Sequence, residues 1–127
     1  MANQTVASLT TTTAQVIDLH IGKQDRQVLR DLACRVAELI ARPIETEKKK
    51  LWYQHNALEP PRPMIFCDPE NGWNEIITED QIVCEHELAQ GWEMTLRKEI
   101  FWGEQMGDDR VVEPYFNIPY TYADSCW

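Results

Sequence analysis

The sequence predicts an α/β fold in which helices come first and short buried strands follow. Helical signals mark three stretches of the chain, at 25–42, 43–56 and 78–103. Two short apolar runs, 64–67 and 110–114, have prolines beside them, which fits strands that are buried on both faces in a parallel sheet or barrel. Because two strands cannot complete a barrel or a doubly wound sheet, we expect the fold to be incomplete in this chain.

The first two predicted helices meet at Pro43. Asp25 is placed to cap the first helix by accepting backbone N–H bonds, and Pro43 ends it and starts the second. Asn56, which tolerates left-handed geometry, is expected to close the second helix, and Lys48–Lys50 to form a solvated face of it. The apolar stripe of the first helix is Val28, Leu29, Leu32, Val36, Leu39 and Ile40.

The third predicted helix opens with a capping-box pattern, in which Thr78 and Gln81 satisfy each other's backbone donors. Gly91 weakens the helix, so we expect close packing at that position, while Gly103 and Gly107 bracket its end. Its apolar face comprises Ile82, Ala89, Trp92, Leu96 and Ile100.

Composition bounds the class of protein. The 127 residues suffice for one domain, and the net charge of −9 disfavours nucleic-acid and anionic-membrane partners, because both require a basic surface. No apolar run approaches the roughly 20 residues that span a bilayer, and residues 1–13 lack the pattern of a secretory signal. A cytoplasmic protein is therefore expected.

The two ends of the chain differ from its middle. Residues 1–24 predict an extended arm, and residues 25–127 predict a partial domain of helices and first strands. The end of the chain is rich in aromatic residues, which normally require a partner surface or a pocket. These are Tyr115, Phe116, Tyr120, Tyr122 and Trp127.

Cysteine usage indicates no metal site. The widely spaced cysteines, which form no CxxC pair, are expected to be buried thiols, as is usual in a cytosolic chain. Cys84 and His86 lie two residues apart in a predicted helix, where their side chains do not share a face. The four cysteines are Cys34, Cys67, Cys84 and Cys126.

Candidate substrate-binding residues follow the predicted strands. Asp68 and Glu70 come after the first strand and Glu113 ends the second, so parallel strands would bring them to one cleft as acid–base or substrate-orienting groups. Trp73 is a candidate for the wall of that cleft. The alternative is turn chemistry around Asp68 and core packing for Trp73. The catalytic residues themselves stay unassigned.

Several segments resemble the start of uroporphyrinogen decarboxylase-like proteins of anaerobic bacteria. They are Arg42–Ile44, Glu47–Asn56 and Arg62–Phe66, and Arg110–Pro114 is similar to the next strand of that family. The likeness covers roughly residues 25–127.

The resemblance implies a (β/α)8, or TIM-type, barrel with helices packed outside it. The family includes the decarboxylases and cobalamin-dependent methyltransferases, which move methyl groups between corrinoid proteins and acceptors. Met64–Cys67 would then be the first barrel strand, with Asp68 at its active-site end. A complete family member would use a corrinoid protein and zinc, but this chain has no His-x-Cys pair to bind zinc.

One departure separates this chain from the decarboxylases. Those enzymes follow the first strand with an Arg-Gln-Ala-Gly-Arg type of run that grips substrate carboxylates, whereas here the acidic Asp68–Gly72 follows. An acidic loop repels an octa-anionic porphyrinogen, so the methyltransferase branch is favoured.

Three functions are compatible with the sequence. The first is the N-terminal fragment of such a methyltransferase-like enzyme, inactive without the rest of the barrel. The second is a binding or assembly module that docks on a partner chain through its helices and aromatic tail. The third is a small complete enzyme that uses Asp68 and Glu113.

Overall fold

The computed structural model describes residues 20–59 and 61–115, and every regular element in those ranges is helical. Short 3-10 turns at Glu70–Gly72 and Glu79–Gln81 lie on either side of the short helix at 73–76, and a π-helical turn at Trp102–Met106 continues the helix that ends at Phe101. The described residues contain no β-strand, so the predicted α/β fold with barrel strands is wrong. The helices are α1 (Lys23–Ile40), α2 (Pro43–Asn56), α3 (Trp73–Ile76) and α4 (Glu87–Phe101).

Helices α1 and α4 pack side by side and run in the same direction. The carboxylate of Asp25 at the start of α1 accepts bonds from Glu85 and His86, just before α4, while Leu39 near its end touches Gly103, just after α4. A Cβ atom at Gly103 would lie 2.8 Å from Leu39 Cδ1, so glycine permits this approach. The main core comprises Leu32, Val36, Leu39, Leu96, Ile100 and Val112.

A second core forms around Trp73, whose side chain is 5% exposed. Its ring centroid lies 4.7 Å from that of Trp102 and 5.8 Å from that of Phe101. Gly107 ends the π-helical turn in left-handed geometry, with φ of 64°, and directs the chain back across the end of α4. The other members of this core are Ile76, Ile77, Ile82, Met94 and Met106.

The first predicted strand, 64–67, is an extended surface segment. Ile65 and Phe66 are 63% and 55% exposed, whereas an interior barrel strand would bury both. Backbone N–H groups of the segment donate to the carboxylates of Asp108 and Asp109, and one backbone bond joins Asp109 N to Ile65 O at 2.8 Å. Side-chain carboxylates thus replace the ladder of a sheet.

Side chains of α2 likewise replace a ladder at the second predicted strand, 110–114. The carboxylate of Glu45 accepts from Val112 N at 2.9 Å, and Lys48 Nζ donates to Arg110 O at 3.0 Å. Lys48 is therefore only 9% exposed, and its predicted place on a solvated face is wrong.

The third predicted helix begins at Glu87 instead of Thr78. Two buried carboxylates bind the backbone N–H groups of residues 83–86 and hold that segment extended. The carboxylate of Glu93 accepts from the N–H groups of residues 83 and 84, and that of Asp25 accepts from those of residues 85 and 86. Because those donors are used by distant side chains, the capping-box pattern yields only a 3-10 turn.

The other helix predictions have mixed outcomes. The bounds of α2, Pro43–Asn56, are confirmed, although the left-handed residue beyond it is Leu58, with φ of 62°. Helix α1 begins at Lys23, and Asp25 does not cap it. The prediction for Gly91 is wrong, because nothing beyond the adjacent residues and the backbone of its own helix lies within 4 Å of a Cβ built there.

Most of the predicted arm, 1–24, and the aromatic tail beyond Tyr115 lie outside the described residues. Cys84 is buried as predicted, Cys34 and Cys67 are exposed, and Cys126 also lies outside that part of the chain. Within residues 20–59 and 61–115, no helix is both long and apolar enough to cross a membrane.

Candidate functional site

Three of the predicted site residues belong to one structural turn. Asp68 Oδ1 accepts from Glu70 N at 3.0 Å and from Trp73 Nε1 at 3.1 Å. The bond from Glu70 lowers the pKa of the Asp68 carboxyl, assisted by the bond from Trp73 and opposed by burial. Asp68 thus orders a turn and Trp73 packs in the core, as in the structural alternative considered for both.

Glu113, the fourth predicted site residue, lies on a different surface. Its side chain is exposed and accepts a hydrogen bond from the Tyr115 hydroxyl. It lines two grooves, and neither groove contains Asp68, Glu70 or Trp73 among its lining residues. The structure therefore does not form the predicted shared cleft.

Arg110, which lies between these two grooves, is held on three sides. Its guanidinium nitrogens donate to the Glu99 carboxylate at 2.7 and 2.5 Å, and its guanidinium carbon Cζ lies 4.1 Å from the centroid of the Trp102 ring. The two-fold contact with a carboxylate and the aromatic face fix the plane of the guanidinium. Since Lys48 binds its carbonyl oxygen, both the backbone and the side chain of Arg110 are restrained.

Asp109 anchors the same segment to α2 and to the 62–67 stretch. Arg62 donates to its two carboxylate oxygens at 2.7 and 2.6 Å, and Trp52 Nε1 donates to its carbonyl at 2.7 Å. The hydrogen bond from Arg62 lowers the pKa of Asp109 to about 2, against burial and with help from the Ile65 N–H. Asp109 is therefore ionised at neutral pH.

Sequence reasoning missed this anchored segment because its partners are remote. Arg62, Trp52 and Lys48 precede the atoms that they bind by 47, 57 and 62 residues. The only local sign of this segment is weak: at 108–112, two aspartates and an arginine precede two valines. Nothing at that spacing specifies which distant side chains will bind them.

The first groove, here called the α1–α4 groove, has a volume of about 490 Å³. Small and apolar side chains of the two helices form its walls, and the chain from Glu113 to Tyr115 passes along it. Arg110 and Glu99 contribute charged groups. The helical lining residues are Ala33, Val36, Ala37, Ile40, Trp92, Thr95, Leu96 and Glu99.

The second groove, here called the aromatic groove, lies beside α2 and has a volume of about 420 Å³. Tyr53 and Phe66 line it and are 75% and 55% exposed. Phe66 stacks on Trp102 with 6.1 Å between ring centroids, so the exposed ring has a rigid base. The other lining residues are Lys49, Trp52, Asn56, Arg110, Val111 and Glu113.

The described residues lack a metal-binding cluster, and the buried Cys84 thiol is protonated. They contain no group of three or more His, Cys, Asp or Glu side chains that could hold a metal ion. Burial raises the pKa of the Cys84 thiol to about 12, with further contributions from Glu93 and Asp25, so this sulfur stays protonated and unreactive at neutral pH. What the two grooves can do is hold apolar groups beside fixed charges.

Comparison with known proteins identifies no relative. No protein-family model, curated protein or solved structure matches the chain.

Proposed function

We propose that this chain is a helical docking module that binds a partner polypeptide through the aromatic groove. The observation that supports the proposal is the exposure of Tyr53 and Phe66 beside Arg110, whose backbone and side chain are both restrained. Tyrosine, tryptophan and arginine dominate the binding energy of protein interfaces, particularly where the pocket is already formed. A restrained arginine also loses little conformational freedom on binding.

A second large apolar side chain is exposed beside Phe66 in the sequence. Ile65 is 63% exposed next to Phe66, so both large apolar side chains of the 62–67 stretch are accessible to solvent. The backbone of this stretch is held in place, because Ile65 N and Cys67 N donate to the carboxylates of Asp109 and Asp108. An apolar surface maintained by buried charges favours a binding role over a merely tolerated exposure.

The lining charges define the partner. An apolar or aromatic side chain fits between Tyr53 and Phe66, and a carboxylate of the partner fits opposite Lys49, which makes no ion pair with the described residues. We therefore propose a polypeptide segment with an apolar anchor and a nearby acidic residue. The methyltransferase function stays a prediction from the resemblance, and in a longer polypeptide of that family the partner surface would belong to the rest of the chain.

The test uses a random 12-residue peptide library displayed on phage, selected against the intact chain. Selected peptides should share an aromatic or aliphatic anchor with an acidic neighbour. Calorimetry with the strongest peptide should show about thirtyfold weaker binding to Tyr53→Ala, since loss of a central interface aromatic costs about 2 kcal/mol.

The matched control is Leu58→Ala, which removes a large apolar side chain that is 89% exposed and lies outside both grooves. Its peptide affinity should stay within about twofold of the unaltered chain. Equal affinity of Tyr53→Ala and the unaltered chain, or a library that yields no binding peptide, would refute the docking role of this groove.

A further inference from the structure

We propose that the partner polypeptide of the aromatic groove binds as an extended strand, paired with one backbone edge of residues 64–67. The binding mode rests on the docking function proposed above and deepens it, because the groove lining fixes which side chains bind but not how the partner backbone is held. In such strand addition, main-chain hydrogen bonds supply affinity and pockets for alternate side chains supply specificity.

One edge of this extended segment is fully engaged by its own chain. Ile65 N donates to Asp109 Oδ2 at 2.8 Å, and Ile65 O accepts from Asp109 N at 2.8 Å. Two residues further on, Cys67 N donates to Asp108 Oδ2 at 3.0 Å and Cys67 O accepts from Trp102 Nε1 at 3.2 Å. The backbone groups of alternate residues thus point to one side, here called the inner edge.

The opposite side, here called the outer edge, is unpaired. In an extended chain the N–H and C=O groups of one residue point to the same side, and those of the next residue point to the other. Met64 and Phe66 therefore present their backbone groups to the outer edge. Among the described residues, no group forms a hydrogen bond with the backbone N–H or C=O of either residue. A row of unpaired backbone groups is a template for a further strand.

The outer edge is also held in a fixed position. Arg62 donates to both carboxylate oxygens of Asp109 at 2.7 and 2.6 Å, which orients the acceptor of the Ile65 N–H. On the groove side, the ring of Phe66 stacks on Trp102 with 6.1 Å between centroids. Because the segment is extended before the partner arrives, it loses little conformational freedom on binding.

The aromatic groove lies where the side chains of an added strand would need it. Phe66 lines this groove and is 55% exposed, so a strand paired with its backbone runs beside the groove. Every second side chain of that strand faces the groove, since side chains alternate along an extended chain. The apolar anchor beside Tyr53 and the acidic residue opposite Lys49 therefore lie two residues apart in the partner, about 7 Å along its chain.

Amide hydrogen exchange of the intact chain, followed residue by residue by NMR, tests the two edges. In the free chain, the N–H groups of Ile65 and Cys67 should exchange about tenfold more slowly than those of Met64 and Phe66, because only the inner edge is hydrogen-bonded. The strongest peptide from the library should slow exchange at Met64 and Phe66 about tenfold and leave Ile65 and Cys67 unchanged.

Methylation of the peptide backbone, one nitrogen at a time, tests the pairing from the partner's side. Methyl groups on the alternate nitrogens that pair with the outer edge should weaken binding about tenfold each, whereas those on the intervening nitrogens should change it by less than about twofold. Selected peptides should carry the anchor and the acid two residues apart.

The outcomes separate the binding mode from the docking function. A peptide that binds without slowing exchange at Phe66, or that binds as a helix with its anchors three or four residues apart, would overturn strand addition and leave the docking function standing. Slower exchange at Phe66 that depends on the concentration of the free chain would assign the outer edge to a second copy and likewise overturn it. A library without any binding peptide would refute both.

Discussion

The α1–α4 pair and the extended segments around it are stabilised in different ways. The helices satisfy their backbone groups internally and meet through leucine, isoleucine and valine side chains. The segments at 62–67, 82–86 and 108–112 instead direct backbone N–H groups to carboxylates from distant parts of the chain. The two regions show that extended backbone can be held in place without any sheet.

Glu93 shows how strong this second kind of support is. Its side chain is fully buried and accepts from Val83 N, Cys84 N and Arg97. Burial opposes ionisation of Glu93, but the hydrogen bonds outweigh it and lower the pKa of the carboxyl. A single carboxylate thus fixes both α4 and the segment that precedes it.

Replacing Glu93 with alanine should produce the largest loss of stability. The free energy of unfolding should fall by about 4 kcal/mol, because Arg97 and two backbone donors lose their acceptor in a buried site. Urea denaturation measures the loss, and hydrogen exchange should accelerate first at residues 83–84. The exposed Glu79→Ala is the control; a loss below about 1 kcal/mol for Glu93→Ala would contradict the importance given to the carboxylate.

Leu96→Ala examines the helix pair in the same way. Leu96 is 4% exposed between α1 and α4, so truncation should cost about 3 kcal/mol through lost burial and a cavity. The measurement is again urea denaturation, with hydrogen exchange rising in both helices together. Faster exchange confined to residues 83–86 would mean that the helix pair and the extended segments are not stabilised independently of each other.

Acid should weaken the 108–112 segment through Asp109. The pKa of Asp109 is lowered from 3.8 to about 2, so the folded state binds this proton less readily than the unfolded state. Its contribution is therefore complete above about pH 4 and is lost as the pH falls toward 2. Asp109→Asn should lose about 2 kcal/mol at pH 7.

The measurement for Asp109 is unfolding free energy from pH 7 to 2 in both chains. The difference in unfolding free energy between the two chains should shrink as the pH falls, because the unaltered chain loses the contribution of ionised Asp109, which the variant lacks at every pH. Asp80→Asn, an exposed carboxylate, serves as the control. A constant difference at every pH would rule out ionised Asp109 as the stabilising form.

The smallest effect is expected at the Arg35–Glu104 pair, which joins α1 to the π-helical turn at 2.9 Å. The two side chains are 52% and 37% exposed, so Glu104→Gln should change stability by less than about 1 kcal/mol. Raising the salt concentration should reduce even that difference. A loss comparable to that of Glu93→Ala would show that exposure does not distinguish the two kinds of carboxylate.

Local patterns in the sequence determined the bounds of the first two helices. The stripe of α1 and the proline boundary at Pro43 placed α1 and α2 to within two residues at each end, because the spacing of apolar residues and the missing proline N–H act over a single turn. The neighbouring residues likewise indicated that Asp68 could order a turn, as it does by accepting from Glu70 N. Local chemistry is sufficient where the partners are local.

Only the tertiary structure decided which conformation the two apolar runs and the capping-box segment adopt. The sequence of a short apolar run is the same whether its backbone pairs with a strand or donates to a distant carboxylate. Here the 64–67 run donates to Asp108 and Asp109, and the 110–114 run donates to Glu45. The start of α4 depended in the same way on Asp25 and Glu93. Buried backbone N–H groups require hydrogen-bond acceptors, and the packing of the helices decides which side chain, remote in sequence, comes close enough to accept.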